Sequence, residues 1–315
     1  MTTLPDERTA DARVSDLYRR NVTRLGPDDI VIASHGGSGQ SLIGNILAEL
    51  GLNYVDAYTE VLHADGRAVV ADQHLSYRQH LASQHDKDHA ADERTTRLWP
   101  RFVKTHHPPS VFAGATIGGV WILVRDPRDA IYASYQWRAG FAEEEWDKVP
   151  GTFEQWLRGP GDFSPSPADD WHAFYTAWAG HARAYDRTEV LRFEDLKTRP
   201  AEIVTGVLRR AGVDIDAGAV AEAVEASSFA RMRAHEDQVS AGGTAQAAPR
   251  VIREGRTNGW KGWMTPELAD FFTGTELRAV AGEYGYDPSC AEGRRPAEKA
   301  IPGMSTNDFR DPRHL

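Results

Sequence analysis

The chain has a single cysteine, Cys290, in 315 residues. That excludes an internal disulfide and a cysteine-rich metal site, and a reducing compartment is expected. Long apolar runs are missing too, since no stretch approaches the roughly 20 residues that span a bilayer. The first 21 residues are polar and acidic, without the apolar centre of a secretory signal. A cytoplasmic location and no membrane partner are the expectations. Basic charge is scarce: 36 Lys and Arg stand against 46 Asp and Glu, a net charge of −10. This balance argues against a nucleic-acid partner held by a basic surface, while leaving room for a local basic pocket around a phosphorylated ligand. There is no internal repeat. What remains, 41% hydrophobic and 26% charged residues, is ordinary globular composition, with length enough for one large core.

The most informative stretch runs from Ile30 to Leu42. The apolar run Ile30-Val31-Ile32-Ala33 predicts a buried strand over about Asp29 to Ser34. Gly36-Gly37-Ser38-Gly39-Gln40-Ser41 follows, and Leu42, Ile43, Ile46, Leu47 and Leu50 then recur at helical spacing up to Gly51. A strand, a tight loop and a helix N-terminus gather backbone N–H groups around an anion, and phosphate suits them. A kinase-type loop would close with Gly-Lys-Ser/Thr; this one reads Gly39-Gln40-Ser41. It suggests a nucleotide phosphate held without the usual metal and lysine.

Further strands are predicted at Arg101–Lys104, stopped by Pro108-Pro109, at Gly119–Val124, and at Glu189–Phe193 before a helix over about Pro200 to Ala211. Asp126-Pro127 breaks the second of these, and Asp129 is placed to cap the helix after it. Arg128 and Asp129 read as a solvated helix start. Strands alternating with helices predict an α/β fold with a parallel sheet, whose ligands sit beyond the carboxyl ends of the strands. His35, Lys104, Arg125 and Phe193 all fall there. Residues 1–27 read as a polar N-terminal extension, 28–287 as a single domain and 288–315 as a tail. Residues 140–180, with Trp146, Trp156, Trp171 and Trp178, read as a helical annex shaping an acceptor pocket, although a single tryptophan more often simply packs. Residues 241–249 read as a mobile loop.

Chemistry concentrates in five segments. The first is the glycine loop. The second is Lys104-Thr105-His106-His107-Pro108, where an imidazole with an ordinary pKa near 6.5 suits a general base at neutral pH. Most of the 12 histidines are surface or capping residues by default. The position of His106, directly after a strand and beside a lysine, favours chemistry, with His107 as the alternative. The third is Arg125-Asp126-Pro127-Arg128-Asp129 with Ser134 downstream, Arg125 being a forked donor suited to phosphate. Leu191-Arg192-Phe193-Glu194-Asp195 is the fourth, followed by Ser227-Ser228-Phe229-Ala230-Arg231-Met232. The fifth is Arg253-Glu254-Gly255-Arg256-Thr257-Asn258-Gly259-Trp260-Lys261.

In this order, from Asp29 to Tyr286, the segments resemble the cytosolic-type sulfotransferases that use 3′-phosphoadenosine-5′-phosphosulfate. The resemblance implies a P-loop-like three-layer fold, a central, mostly parallel sheet flanked by helices, with the tryptophan-rich annex added. It implies that Gly36, Gly37, Ser38, Gly39, Gln40, Ser41 and Leu42 wrap the 5′-phosphosulfate, with Gly37 where the family carries a lysine and Leu42 where it carries a tryptophan. It makes His106 the base, as in the family's Lys-Thr-His-Leu-Pro, and Lys104 the cation at the transferring group. Arg125 and Ser134 would meet the 3′-phosphate, though the family's serine falls one residue earlier, at Ala133. Phe193, Ser227 and Phe229 would meet the adenine, and Arg253, Glu254 and Gly255 would close over the 3′-phosphate, with Glu254 in place of a basic residue.

The reaction implied is sulfuryl transfer to a hydroxyl of a small molecule, aromatic or a natural product, with no metal. Two other classes stand beside it. A phosphate-loop kinase would need the missing lysine and a magnesium carboxylate. A nucleotide-binding protein of sulfotransferase descent without activity fits Gly37 and Ala133, but not a retained His106. The acceptor's identity and the oligomeric state, a homodimer included, are left open.

Overall fold

The computed structural model describes residues 14–71, 96–141, 149, 151–241 and 255–289. Seven strands are described: β1 (Asp29–Ala33), β2 (Leu52–Val55), β3 (Glu60–Leu62), β4 (Ala68–Val70), β5 (Arg97–Thr105), β6 (Gly119–Val124) and β7 (Arg187–Arg192). The helices in chain order are α1 (Asp16–Val22), α2 (Gln40–Glu49), α3 (Pro127–Phe141), α4 (Phe153–Leu157), α5 (Pro167–Ala182), α6 (Phe193–Thr198), α7 (Pro200–Arg210), α8 (Ala217–Ala226), α9 (Phe229–Ala241), α10 (Pro266–Ala269) and α11 (Thr275–Glu283). Five strands form one sheet in the order β2-β5-β1-β6-β7, every neighbouring pair parallel, while β3 and β4 form a separate antiparallel hairpin.

The continuous apolar runs follow from burial on both faces. Ile30, Ile32, Phe102, Trp121 and Leu123 point to one side, against α2, α7 and α8. Val31, Ala33, Val103, Val120, Ile122 and Val124 point to the other, against α3 and α5. Three layers result, as expected. Ala33 pairs with Thr105 and with Ile122, and Val124 with Arg192. The strands therefore end side by side, and Ser34, His106, Arg125 and Phe193 leave the sheet at one edge, with Asp56 beyond β2.

Three expectations change. The N-terminal segment is not wholly an extension: α1 buries Leu17, Tyr18, Asn21 and Val22, and the Tyr18 hydroxyl donates to Thr105 Oγ1 at 2.7 Å. The tryptophans do not form an annex. Trp156, Trp171 and Trp178 belong to the core on the α3–α5 side, and Trp178 Nε1 donates to the His107 carbonyl at 3.0 Å; Trp146 lies outside the described residues. Asp129 does not cap α3. Asp126 Oδ1 accepts the Arg128 N–H at 3.0 Å instead, and Arg128 and Asp129 are buried at 3% and 4% exposure rather than solvated. The 241–249 loop is outside the described residues except for Ala241, and of the tail only Pro288 and Ser289 are described.

Candidate active site

The glycine loop owes its path to two residues in the left-handed region, Gly37 (φ 79°) and Gly39 (φ 104°). A Cβ on Gly37 would lie 2.3 Å from the Ala130 carbonyl oxygen, and one on Gly39 2.4 Å from Phe193 Cδ2. The loop is thus pressed between α3 and the first residue of α6, and a lysine side chain has no room at position 37. Ser134 faces it as well: a Cβ on Gly36 would stand 3.0 Å from Ser134 Oγ. Side chains within the loop serve the scaffold. Ser38 Oγ is 3.0 Å from the Tyr175 hydroxyl. Gln40 Nε2 donates to the Ile32 carbonyl at 2.8 Å, and Gln40 Oε1 accepts from the Tyr54 hydroxyl. One amide N–H and the amide oxygen of Gln40 are thus committed to the scaffold. Leu42 packs on the core of the α2 side, and Ser41 is half-buried in the first turn of α2.

His106 follows β5 directly. Its Nδ1 is 2.8 Å from the Ser34 carbonyl oxygen. A carbonyl only accepts, so Nδ1 carries the proton and Nε2 the lone pair. The backbone N–H of His106 donates to the Tyr58 hydroxyl at 2.7 Å. Burial, and secondarily the Lys104 charge, lower its pKa from 6.5 to about 3. His107, the alternative base, is enclosed by rings: Tyr18 at 4.6 Å, Tyr58 at 5.1 Å and Phe163 at 6.1 Å. Burial lowers its pKa to about 4. Lys104 Nζ lies 3.3 Å from Asp56 Oδ2 and 5.7 Å from the centre of the Tyr58 ring.

On the other side of the loop, Arg125 Nη1 donates to the Gly37 carbonyl and Nη2 to the Arg256 carbonyl, each at 2.9 Å. Its guanidinium covers the Phe193 ring at 4.5 Å. Gly255, at φ 56°, brings its backbone against Phe229: a Cβ there would stand 2.6 Å from Phe229 Cδ2. Asn45 of α2 donates to Met232 Sδ, which ties α9 to the helix that the loop begins. Ser227 Oγ is buried with no hydrogen-bond partner. Arg253 and Glu254 lie outside the described residues. The described ones among the predicted residues thus assemble around one sheet edge, the histidine and lysine towards β2, the arginine and aromatics towards β7.

Residues 27–277 match the sulfotransferase domain family. The chain belongs to that family. Among curated relatives, rat (Rattus norvegicus) sulfotransferase 2A2 is 23% identical over 204 residues, 61% of this chain and 67% of the relative. The fold is that of mouse sulfotransferase SULT7A1 complexed with PAP, with a TM-score of 0.52 at 13% identity, covering 86% of this chain and 95% of that one. Retinol dehydratase, in complex with androsterone and inactive cofactor PAP, gives a TM-score of 0.52 at 18% identity, with 86% and 87% covered. Among the described residues no group of three or more His, Cys, Asp and Glu could hold a metal ion, and no helix is long and apolar enough to cross a membrane.

Sequence reasoning did not find Asp56 and Tyr58. Both lie outside every motif, and only the end of β2 beside β5 brings them to Lys104 and His106. Asp129 reads in sequence as a helix start because the backbone N–H groups that bind it lie about 130 residues further on.

Proposed function

We propose that this chain transfers a sulfuryl group from 3′-phosphoadenosine-5′-phosphosulfate to the hydroxyl of a small molecule in the cytoplasm. The observation that carries this reading is the His106 tautomer: Nδ1 is committed to the Ser34 carbonyl at 2.8 Å, which leaves Nε2 to accept a proton. The residues fit the nucleotide. Gly37, Gly39 and Gly255 take left-handed turns that pack the backbone against Ala130, Phe193 and Phe229, and the Ser227 hydroxyl is buried and lacks a partner. Gly36 to Leu42 would hold the 5′ end through backbone N–H groups, Arg125, Ser134 and the 253–255 segment the 3′-phosphate, and Phe193, Ser227 and Phe229 the adenine.

When bound, the donor supplies the sulfuryl group. His106 takes the acceptor's hydroxyl proton at Nε2, and burial keeps the ring neutral at physiological pH. Lys104, oriented by Asp56, offsets negative charge at the reacting centre. The androsterone bound by retinol dehydratase supports a small-molecule acceptor here, and the aromatic groups Tyr58, Phe163 and Phe174 near the three histidines suit an apolar or aromatic one. The test is a melting experiment followed by an assay. At 100 times its dissociation constant 3′-phosphoadenosine-5′-phosphate should add about 2.7 kcal/mol of stability, and ATP with magnesium far less. Labelled sulfate should then pass from the donor to alcohols in a panel of phenols and sterols. Equal stabilisation by both nucleotides would remove the basis of the proposal.

A further inference from the structure

The mechanism uses Arg125 and leaves the carboxylate one helical turn later without a task. Asp129 Oδ1 accepts the Trp260 N–H at 2.7 Å and Oδ2 the Gly259 N–H at 3.3 Å. The same Oδ2 lies 3.6 Å from Arg125 Nη2, which also donates to the Arg256 carbonyl. Asn258, the one described non-glycine residue with positive φ (58°), turns the chain so that two successive N–H groups face one carboxylate. The neighbouring Arg128 stacks its guanidinium on the Trp260 ring at 3.7 Å and is itself held by both oxygens of Asp126. Arg125, just before α3, and the first turn of α3 therefore grip residues 255–262 at three points, by carboxylate, by stacked cation and by the Arg125 guanidinium.

A carboxylate taken out of water is costly unless it is paired and hydrogen-bonded. Here its partners belong to two elements, and it fixes both at once. We infer that Asp129 is a positioning residue that joins Arg125 and the 255–262 segment into one phosphate-binding unit, and so sets the preference for a nucleotide carrying a 3′-phosphate. The inference rests on the proposed function, which brings Arg125 and this segment to that phosphate. Asp129 touches no nucleotide itself. Without its charge, Arg125 loses its ion-pair partner while keeping the Gly37 and Arg256 carbonyls, and the segment loses its anchor at Gly259. Asp129 itself makes no hydrogen bond or ion pair with the Gly36–Leu42 loop or the adenine residues.

The test is calorimetric titration of wild type and Asp129→Asn with 3′-phosphoadenosine-5′-phosphate and with adenosine 5′-monophosphate. Asparagine keeps the volume and can accept from Trp260, but turns an amide donor towards Gly259 or Arg125. Wild type should prefer the bisphosphate at least tenfold or so, and the variant should bind it about tenfold more weakly, since charged hydrogen bonds are lost. Binding of the monophosphate should fall far less. A variant that keeps the full preference, or loses both nucleotides equally, overturns the role, the second result marking a purely structural residue. A wild type without preference overturns the donor reading itself. Hydrogen exchange on the wild-type protein needs no variant: the Gly259 and Trp260 amides, already bonded to Asp129, should gain further protection from the bisphosphate and not from the monophosphate. Equal protection by the two overturns the inference.

Discussion

At the scale of single residues, the site separates a base from its look-alike by what surrounds each ring. His106 and His107 are adjacent and both are neutral, yet only His106 has Nδ1 fixed on a carbonyl, and His107 sits among Tyr18, Tyr58 and Phe163. His106→Ala should lower kcat by about 10²–10⁴ while the bisphosphate binds as before, and His107→Phe should retain most of the activity. The reverse ranking in a steady-state assay would move the base to His107. Because the free-enzyme pKa of His106 is lowered to about 3, kcat/KM should show no acidic limb near pH 6.5 from this residue. Lys104 has a different constraint. Its ammonium is shared with Asp56, so Lys104→Ala should cost about 10²–10³ in rate. Asp56→Ala should lower kcat more than it changes the acceptor KM. An Asp56 variant with altered KM alone would show that the carboxylate binds acceptor rather than orienting lysine.

Elements explain why some of this was legible in the sequence and some was not. A strand buried on both faces must be apolar throughout, so β1 and β6 announced themselves, and the glycines after β1 announced an anion loop. Helix α1 did not, because seven residues with a polar face give a weak period, and its place depends on the distant contact between Tyr18 and Thr105. Tryptophans carry no label for core or pocket, and only the packing of α5 on the sheet decides. The lysine position in the loop is the clearest case. The resemblance sets Gly37 where the family carries a lysine, and the loop's contact with α3 leaves no room for a side chain there. Gly37→Ala should destabilise the fold by about 1–3 kcal/mol from the left-handed backbone alone, more with the 2.3 Å approach to Ala130. Gly37→Lys should share that loss and gain no turnover. A stable, faster Gly37→Lys enzyme would mean that the loop sits further from α3 than its geometry here.

The whole molecule concentrates three histidines on one side of the sheet edge, and this governs its response to acid. Burial lowers the pKa of His35 to about 4, His106 to about 3 and His107 to about 4, from 6.5. Between about pH 6.5 and 4, the unfolded chain takes up protons on these rings that the folded chain refuses. Their contribution to stability is complete above 6.5 and is lost as the pH falls. Asp170 acts the other way. Burial, and next the nearby Asp162 charge, raise its pKa from 3.8 to about 7, so the folded state holds a proton there that the unfolded state releases. That contribution is present below 3.8 and lost as the pH rises through 7. Among these four groups the three rings outweigh the one carboxyl, leaving a net difference that approaches about two protons near pH 5, each worth about 1.4 kcal/mol per pH unit. Urea unfolding measured at pH 7, 6 and 5 should therefore show stability falling with acid, and His107→Phe should shallow that slope by about half. The rings in that variant can still pack against Tyr18 and Phe163, so the change in slope reports the lost titration rather than a cavity. A stability that is flat or rising from pH 7 to 5 would show that these histidines take up protons within the fold.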